Sequence, residues 1–478
     1  MSQMKRIRLV VTISFALSLG AIGLTCGSFS SNPTGSPGTD ASVASLGGSG
    51  DPGGLGGVSG PGGDGGSTGN SGSGGGAGPS GQGGANGPSG LGGSNGPSGS
   101  GGGGGPSGQG GATGAGGATV ASGPCDILAA AGNPCVAAHS TVRALYGSYS
   151  KPLYQVCRGA SVAGPNSCRG TTMDIGVVAG GYADAAAQVL FCAGSTGSSC
   201  TISVIYDQSP NGNHLQPAPP GGPPGPEADL PANAADLPTM INGHPAYGIF
   251  IKPGMGYRAG CVGCGTPVPK GTATGDQPET EYMVTSQNGL VDGCCFDYGN
   301  AEIDSHDDGN GTMQAVYFGG GVVWDTGAEG GHTNNTNPWV MADLENGLFA
   351  GWDTTLTPSA AQRITSNTAL HFPFVTALII GDTADKNAGK GRFAIYGGDA
   401  TAGVLKSMYD GIRPTLGGYV PMDAKLPHKK GSVILGTGGD NSKAGGGQFF
   451  EGVMATGAAT VPTVNAVQAN IVAARYGK

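Results

Sequence analysis

The stretch "NPWVMADLENGLFAG", residues 337 to 351, sets two carboxylates two positions apart beside an aromatic ring. Taken as a strand, it puts Val340, Ala342 and Leu344 on one face and Trp339, Met341, Asp343 and Glu345 on the other. In a core those carboxylates would be costly without partners, whereas on a concave sheet face they make a polar cleft. The plainer reading is a solvated strand end running into the "ENG" turn. A second stretch, "SVILGTGGDNSKAGGG" at 432 to 447, runs an apolar strand into closely spaced glycines and then presents Asp440 and Asn441. Glycine lets backbone approach a ligand, and an Asp at a strand end can be aimed into a cleft. A Gly-Asp-Asn turn explains this stretch alone. Two carboxylates at comparable positions on neighbouring strands suggest the general acid and nucleophile of a glycosidase.

A third stretch, "GLVDGCCFDYGN", places Cys294 beside Cys295, and their role depends on the compartment. Lys5, Arg6 and Arg8 precede an apolar run from Leu9 to Leu24, which reads as a secretory signal over residues 1–26. A lipoprotein signal also wants a cysteine at the cleavage point, where Cys26 stands; lipid attachment there and ordinary cleavage are both open. Export to the outside, or tethering at the cell surface, is the expectation. Ten further cysteines, at 125, 135, 157, 168, 192, 200, 261, 264, 294 and 295, then argue for five disulfides. Local pairing is the simplest scheme: Cys125 with Cys135, Cys157 with Cys168, Cys192 with Cys200, Cys261 with Cys264, and Cys294 with Cys295. Zinc competes for "CVGC" and "CC", but no His stands at finger-like spacing.

These residues need a scaffold, and composition says where it lies. Residues 27–123 are nearly all Gly, Ser, Pro, Ala and Asn in quasi-repeats such as "GPSGQGGANGPSG", with little to bury, and read as a disordered tether. Lys5, Arg6 and Arg8 balance Asp40, Asp51 and Asp64, so the net charge of −9 belongs to residues 124–478. That acidic balance is no nucleic-acid footprint, and membrane contact is confined to the N-terminus. From Pro124 onward, β-rich runs such as "CTISVIYD", "EYMVTS", "FVTALIIG", "RFAIYGG" and "QFFEGVM" are separated by Gly, Asn, Asp and Pro clusters. Helical signals are few: "YADAAAQVLFC", and a terminal "TVNAVQANIVAARY" with Thr463 as N-cap and Val464, Val467 and Ile471 on one face. The expected fold is all-β, a two-sheet sandwich. The Pro-rich 217–231 is expected to be a surface loop. "DSHDDGNG" at 304–311 mimics a calcium loop but lacks the closing Glu, and reads as a polar turn. "IYDQSPNGNHL" is a strand-turn element frequent in lectin-like sandwiches.

Taken together, "PCDILAAAGNPCVAAHSTVRALYGSYSKPLYQVCRG", "IYDQSPNGNHL", "CCFDYGNAE", "WVMADLENGLFAG", "LGTGGDNS", "FFEGVMATG" and "VQANIVAARYG" resemble, in order, the catalytic domain of family 54 α-L-arabinofuranosidases. The resemblance implies a concanavalin-like β-sandwich and retaining hydrolysis of terminal α-L-arabinofuranosyl groups from arabinan or arabinoxylan side chains, with no cofactor and no metal. By motif it implies Glu345 as nucleophile and Asp440 as acid/base, with Asp343, Asn346, Gly347 and Gly439 at the sugar hydroxyls and Trp324 beside the pocket. It also implies that Cys294 and Cys295 bond to each other as an apolar wall against the sugar. The expected partner is an arabinose-containing plant saccharide, and the expected state a monomer. Members commonly continue into a β-trefoil that binds arabinose side chains, whereas this sequence stops at Lys478, which leaves attachment to insoluble polymer open. Cys157 with Cys168, Cys261 with Cys264, "AEGGHTNNTN" and the long tether look like additions to the family pattern. The alternative from another class is a non-catalytic lectin-like surface protein on the same sandwich; the pairing of Glu345 with Asp440 argues against it.

Overall fold

The computed structural model describes residues 122–478 apart from 195–199, 223–225, 262–263, 265, 292, 310, 321–337, 346–347, 352–366, 384, 390 and 414–428. Cys26, the leader and nearly all of the glycine-rich tether, together with Trp324, Asn346 and Gly347, lie outside the described residues.

Two antiparallel sheets carry the fold. The first runs Cys135–Ser140, Gly447–Thr456, Glu279–Thr285, Val375–Gly381, Phe393–Asp399 and Lys406–Gly411, with Ile249–Ile251 also paired to Gly447–Thr456. The second runs Leu348–Phe349, Trp339–Asp343, Gln314–Gly319, Asp297–Ala301, Ser432–Leu435, Tyr257–Ala259 and Gln216–Pro217. A three-stranded sheet (Thr171–Ile175, Tyr154–Arg158, Cys200–Ile205) and a hairpin (Pro238–Ile241 with His244–Tyr247) complete the described pairings.

Side-chain alternation explains the layering. In the second sheet Val316, Phe318, Val340, Ala342, Val433 and Leu435 join Met283, Ala377 and Ile379 of the first in one core cluster. Tyr282, Val284, Leu378 and Ile380 point to the first sheet's other face, where Val464, Val467 and Ile471 of the helix Val461–Ala473 cover them. Covered on both faces, these strands read as continuous apolar runs instead of alternating ones. The outer face of the second sheet carries small clusters, Tyr317 with Trp339 and Met341, and Ala301 with Ala315 and Ile434.

Several expectations change in detail. The terminal helix begins one turn before Thr463: Thr460 is its N-cap and its hydroxyl accepts from Thr463 N at 3.4 Å. Pro462 sits in the first turn, where a missing N–H costs nothing, so the proline extends the helix backward. The strand at 337–351 ends at Asp343, and Glu345 follows with φ of 78°. The Pro-rich 217–231 is no free surface loop. Gln216 and Pro217 pair with the Tyr257–Ala259 strand, Ala218 and Asp229 are fully buried, and Glu227 O accepts from Asn441 Nδ2 at 3.0 Å. "IYDQSPNGNHL" is a pinned turn, with Asp207 accepting from Ala138 N, Ser209 N and Asn213 N at 2.8–2.9 Å. In 304–311, Asp304 and Asp307 accept from backbone N–H two residues on, the geometry of a polar turn.

The structure joins five cysteine pairs: 125–135, 157–168, 192–200, 261–264 and 294–295, the last across a cis peptide bond. Sulfurs bonded to each other offer no thiolate, so neither "CVGC" nor "CC" presents a zinc site in this state.

Candidate active site

Four segments distant in sequence meet on the outer face of the second sheet. The Trp339–Asp343 strand ends in Asp343, whose Oδ1 accepts from Glu345 N at 3.0 Å. That bond turns the chain sharply and throws the Glu345 side chain back toward the sheet. The left-handed backbone at Glu345 is unusual for a residue with a Cβ, and such conformations concentrate at functional sites. Asp343 and Glu345 therefore reach a common site by a turn, not by strand alternation. Both are buried, at 4% and 6% exposure, which rules out the solvated strand end.

Beyond Ser432–Leu435 the chain makes a second tight loop. Asp440 Oδ1 accepts from Ser442 N at 2.8 Å and from Ser442 Oγ at 2.6 Å, and Asn441 has φ of 70°. Gly439 lies against the other carboxyls. A Cβ there would overlap Glu302 Oε2 and come within 2.7 Å of Glu345 Oε2, so only glycine fits. A Cβ at Gly438 would lie 3.1 Å from Asp440 Oδ1 and 3.4 Å from Cys295 Sγ. The loop thus touches Glu345 on one side and the Cys294–Cys295 pair on the other. Cys295 Sγ stands 3.2 Å from Asp343 Oδ2, which brings the sulfurs to the same pocket.

Three residues that sequence reasoning did not single out complete the group. Asp297 opens the strand Asp297–Ala301, Glu302 follows it, and Arg258 comes from Tyr257–Ala259; all three are fully buried. Asp297 and Glu302 stand within "CCFDYGNAE", where acids bracketing a buried strand were the available signal. Arg258 donates to the carbonyls of Glu302, Gly438 and Gly439, clamping the Asp440 loop to the end of the Asp297–Ala301 strand. Thr312 donates to Glu302 Oε1. From outside, the Pro-rich segment braces the same loop: a Cβ at Gly221 would come within 2.7 Å of Asp440 O, and Lys443 pairs with Asp229 at 2.8 Å.

Five carboxyls, Asp297, Glu302, Asp343, Glu345 and Asp440, thus surround one guanidinium that donates to carbonyls. Burial, before any charge, pushes all five upward. The Glu302 and Asp440 charges push Glu345 further up, and Asp343 does the same to Asp297. On Asp440 the two Ser442 bonds oppose burial, leaving it raised. If every carboxyl were charged, Glu302 Oε2 and both oxygens of Asp297 would have no donor. A proton held between Glu302 and Glu345, and another between Asp297 and Asp343, would supply those bonds. Such a site can deliver a proton and present a carboxylate to one substrate.

The family model described as "Alpha-L-arabinofuranosidase B, catalytic" matches residues 124–477. The chain belongs to this family. An Aspergillus fumigatus protein named "Probable alpha-L-arabinofuranosidase B" is 48% identical over 357 residues, 74% of this chain and 62% of that protein. An "Alpha-L-arabinofuranosidase" of Hypocrea jecorina is 47% identical over 356 residues, 74% of this chain and 63% of that protein. This arabinofuranosidase B family member thus spans less than two thirds of the length of these curated relatives. Among solved structures, a mutant of a GH54 α-L-arabinofuranosidase soaked with 4-nitrophenyl α-L-arabinofuranoside matches with a TM-score of 0.62 at 45% identity, covering 74% of this chain and 66% of that one. An arabinofuranosidase complexed with arabinofuranosyl-α-1,2-xylobiose matches with a TM-score of 0.62 at 43% identity and the same coverage.

Proposed function

We propose that the chain is a retaining α-L-arabinofuranosidase acting on terminal arabinofuranosyl groups of plant polysaccharide side chains. Family membership supports the reaction class, and the convergence of the Glu345 and Asp440 segments at Gly439 is the observation that carries the assignment to residues. Glu345 attacks the anomeric carbon while Asp440 protonates the departing oxygen; Asp440 then takes a proton from the water that opens the glycosyl ester. The upward push on Asp440 suits a group that must begin protonated, and Ser442 fixes its direction. Asp343 and Gly439 hold sugar hydroxyls, and the Cys294–Cys295 pair forms an apolar wall beside them. Five disulfides support export to an oxidising compartment. The protein works there as a monomer.

Hydrolysis of 4-nitrophenyl α-L-arabinofuranoside tests this reading. The native chain releases nitrophenol, and Glu345→Gln lowers kcat/KM by at least about 10³-fold. NMR of the first-formed sugar shows the α anomer. Initial formation of the β anomer, or equal release by native chain and variant, overturns the assignment.

A further inference from the structure

Glu345 must be charged to attack, yet it stands where burial and three neighbouring acids, Glu302, Asp440 and Asp343, favour its neutral form. Its nearest neighbour shows where the proton can go. Glu302 is fully buried, anchored through Oε1 by the Thr312 hydroxyl and through its backbone carbonyl by Arg258. Its other oxygen, Oε2, has no donor if both acids are charged, and it faces the same glycine Cα as Glu345 Oε2. A hydrogen between the two acids gives Glu302 Oε2 the partner it otherwise lacks.

We propose that Glu302 is a positioning residue for the nucleophile: it shares one proton with Glu345 and holds that proton while Glu345 attacks. The step balances within the site. The proton passes from Glu345 to Glu302 Oε2, the Glu345 carboxylate forms the ester bond as the glycosidic bond breaks, and the proton returns when water cleaves the ester. Arg258 on the Tyr257–Ala259 strand supplies the compensating positive charge. The other charged groups around the pair are Asp297 at the start of Glu302's own strand, Asp343 at the end of its strand, Asp440 in its loop and Asp307 in the turn after Glu302. Of these acids, Glu302 alone has an unpartnered oxygen at the Gly439 contact with Glu345.

This inference rests on the arabinofuranosidase reading for its kinetic test and has a second readout that does not. In Glu302→Gln a neutral amide stands where the protonated carboxyl stood, and it has no proton to lose as pH rises. The alkaline limb of kcat/KM against pH for 4-nitrophenyl α-L-arabinofuranoside, where the shared proton leaves, then moves up by at least about one pH unit. Thr312→Val, which weakens the charged form of Glu302 and leaves its carboxyl in place, moves the limb the same way by less. A purely structural role for Glu302 would lower the plateau and leave the limb in place, which overturns the proposal. Infrared difference spectra at neutral pH read the proton without turnover: one protonated-carboxyl band of the native chain is lost both in Glu302→Gln and in Glu345→Gln. A band that survives either substitution overturns the sharing, whereas absence of nitrophenol release from the native chain, with the band lost in both variants, sinks the enzymatic reading alone.

Discussion

Glu451 and Glu345 are both buried carboxylates on sheet segments, and the molecule treats them in opposite ways. Glu451, under the terminal helix, takes a bidentate pair from Arg143 at 2.5 and 2.7 Å and hydroxyl bonds from Tyr476 at 2.5 Å and Tyr282 at 3.1 Å. Burial works against the Arg143 charge, but Glu451 outweighs it and holds the guanidinium's proton more firmly than usual. Asn470 of the helix occupies another Arg143 nitrogen, at 2.9 Å. Every polar atom there has a partner of fixed charge, and the result is a fastener. Around Glu345 there are four other acids, one Arg spent on carbonyls, and an acid oxygen with no donor. A satisfied cluster holds structure; an under-compensated one stores a readiness to exchange protons.

The largest effect expected from this contrast is on stability at the fastener. Glu451→Leu leaves the Arg143 charge buried alone and lowers unfolding free energy by about 3–5 kcal/mol, with turnover per folded molecule unchanged. A loss under about 1 kcal/mol in denaturant unfolding would erase the contrast. Next comes Gly439→Ala, whose methyl must displace the Glu302 and Glu345 carboxyls. On the proposed function, hydrolysis falls about 10²-fold, with kcat affected more than KM, because the nucleophile proposed at Glu345 loses its alignment when misplaced by an ångström. Native activity in that variant would show that the acids are not held against the loop.

The smallest effect concerns pH. The site acids are raised on folding, so their contribution to stability is fully present below their unfolded values, about pH 4, and fades as pH rises through the folded ones. Asp229, pushed up by burial to about 6 although Lys443 pairs with it, fades over the same interval. Unfolding measured at about pH 5 and about pH 8 should show lower stability at the higher value. Asp297→Asn, neutral throughout, flattens that difference by about 1–2 kcal/mol. An unchanged slope would mean the acids are not protonated in the native site.

Much of the scaffold was legible from local pattern. The runs "EYMVTS", "FVTALIIG" and "RFAIYGG" are strands, because β-branched and aromatic residues between Gly and Asp clusters leave little choice. Asp297–Ala301 was not marked as a strand, since "DYGNA" carries acid, glycine and amide where a strand is expected to be apolar. The same property hid the site. Asp343 and Asp440 stood out beside strong apolar runs, but Asp297, Glu302 and Arg258 acquire meaning only when Tyr257–Ala259, Ser432–Leu435 and Asp297–Ala301 lie side by side, a pairing local spacing does not encode. The apolar spacing points to Thr463 as the cap, whereas Thr460 holds that place with Pro462 in the first turn.

The brace formed by the Pro-rich segment has a consequence for engineering. Its backbone at Glu227 is held by Asn441, and its Asp229 by Lys443, so both points of that grip lie within three residues after Asp440 in the chain. Altering the length of 219–228, between the buried Ala218 and Asp229, would change the tension on the Asp440 loop. On the proposed function, that stretch is a remote handle on the pH response of Asp440, reachable by loop grafting.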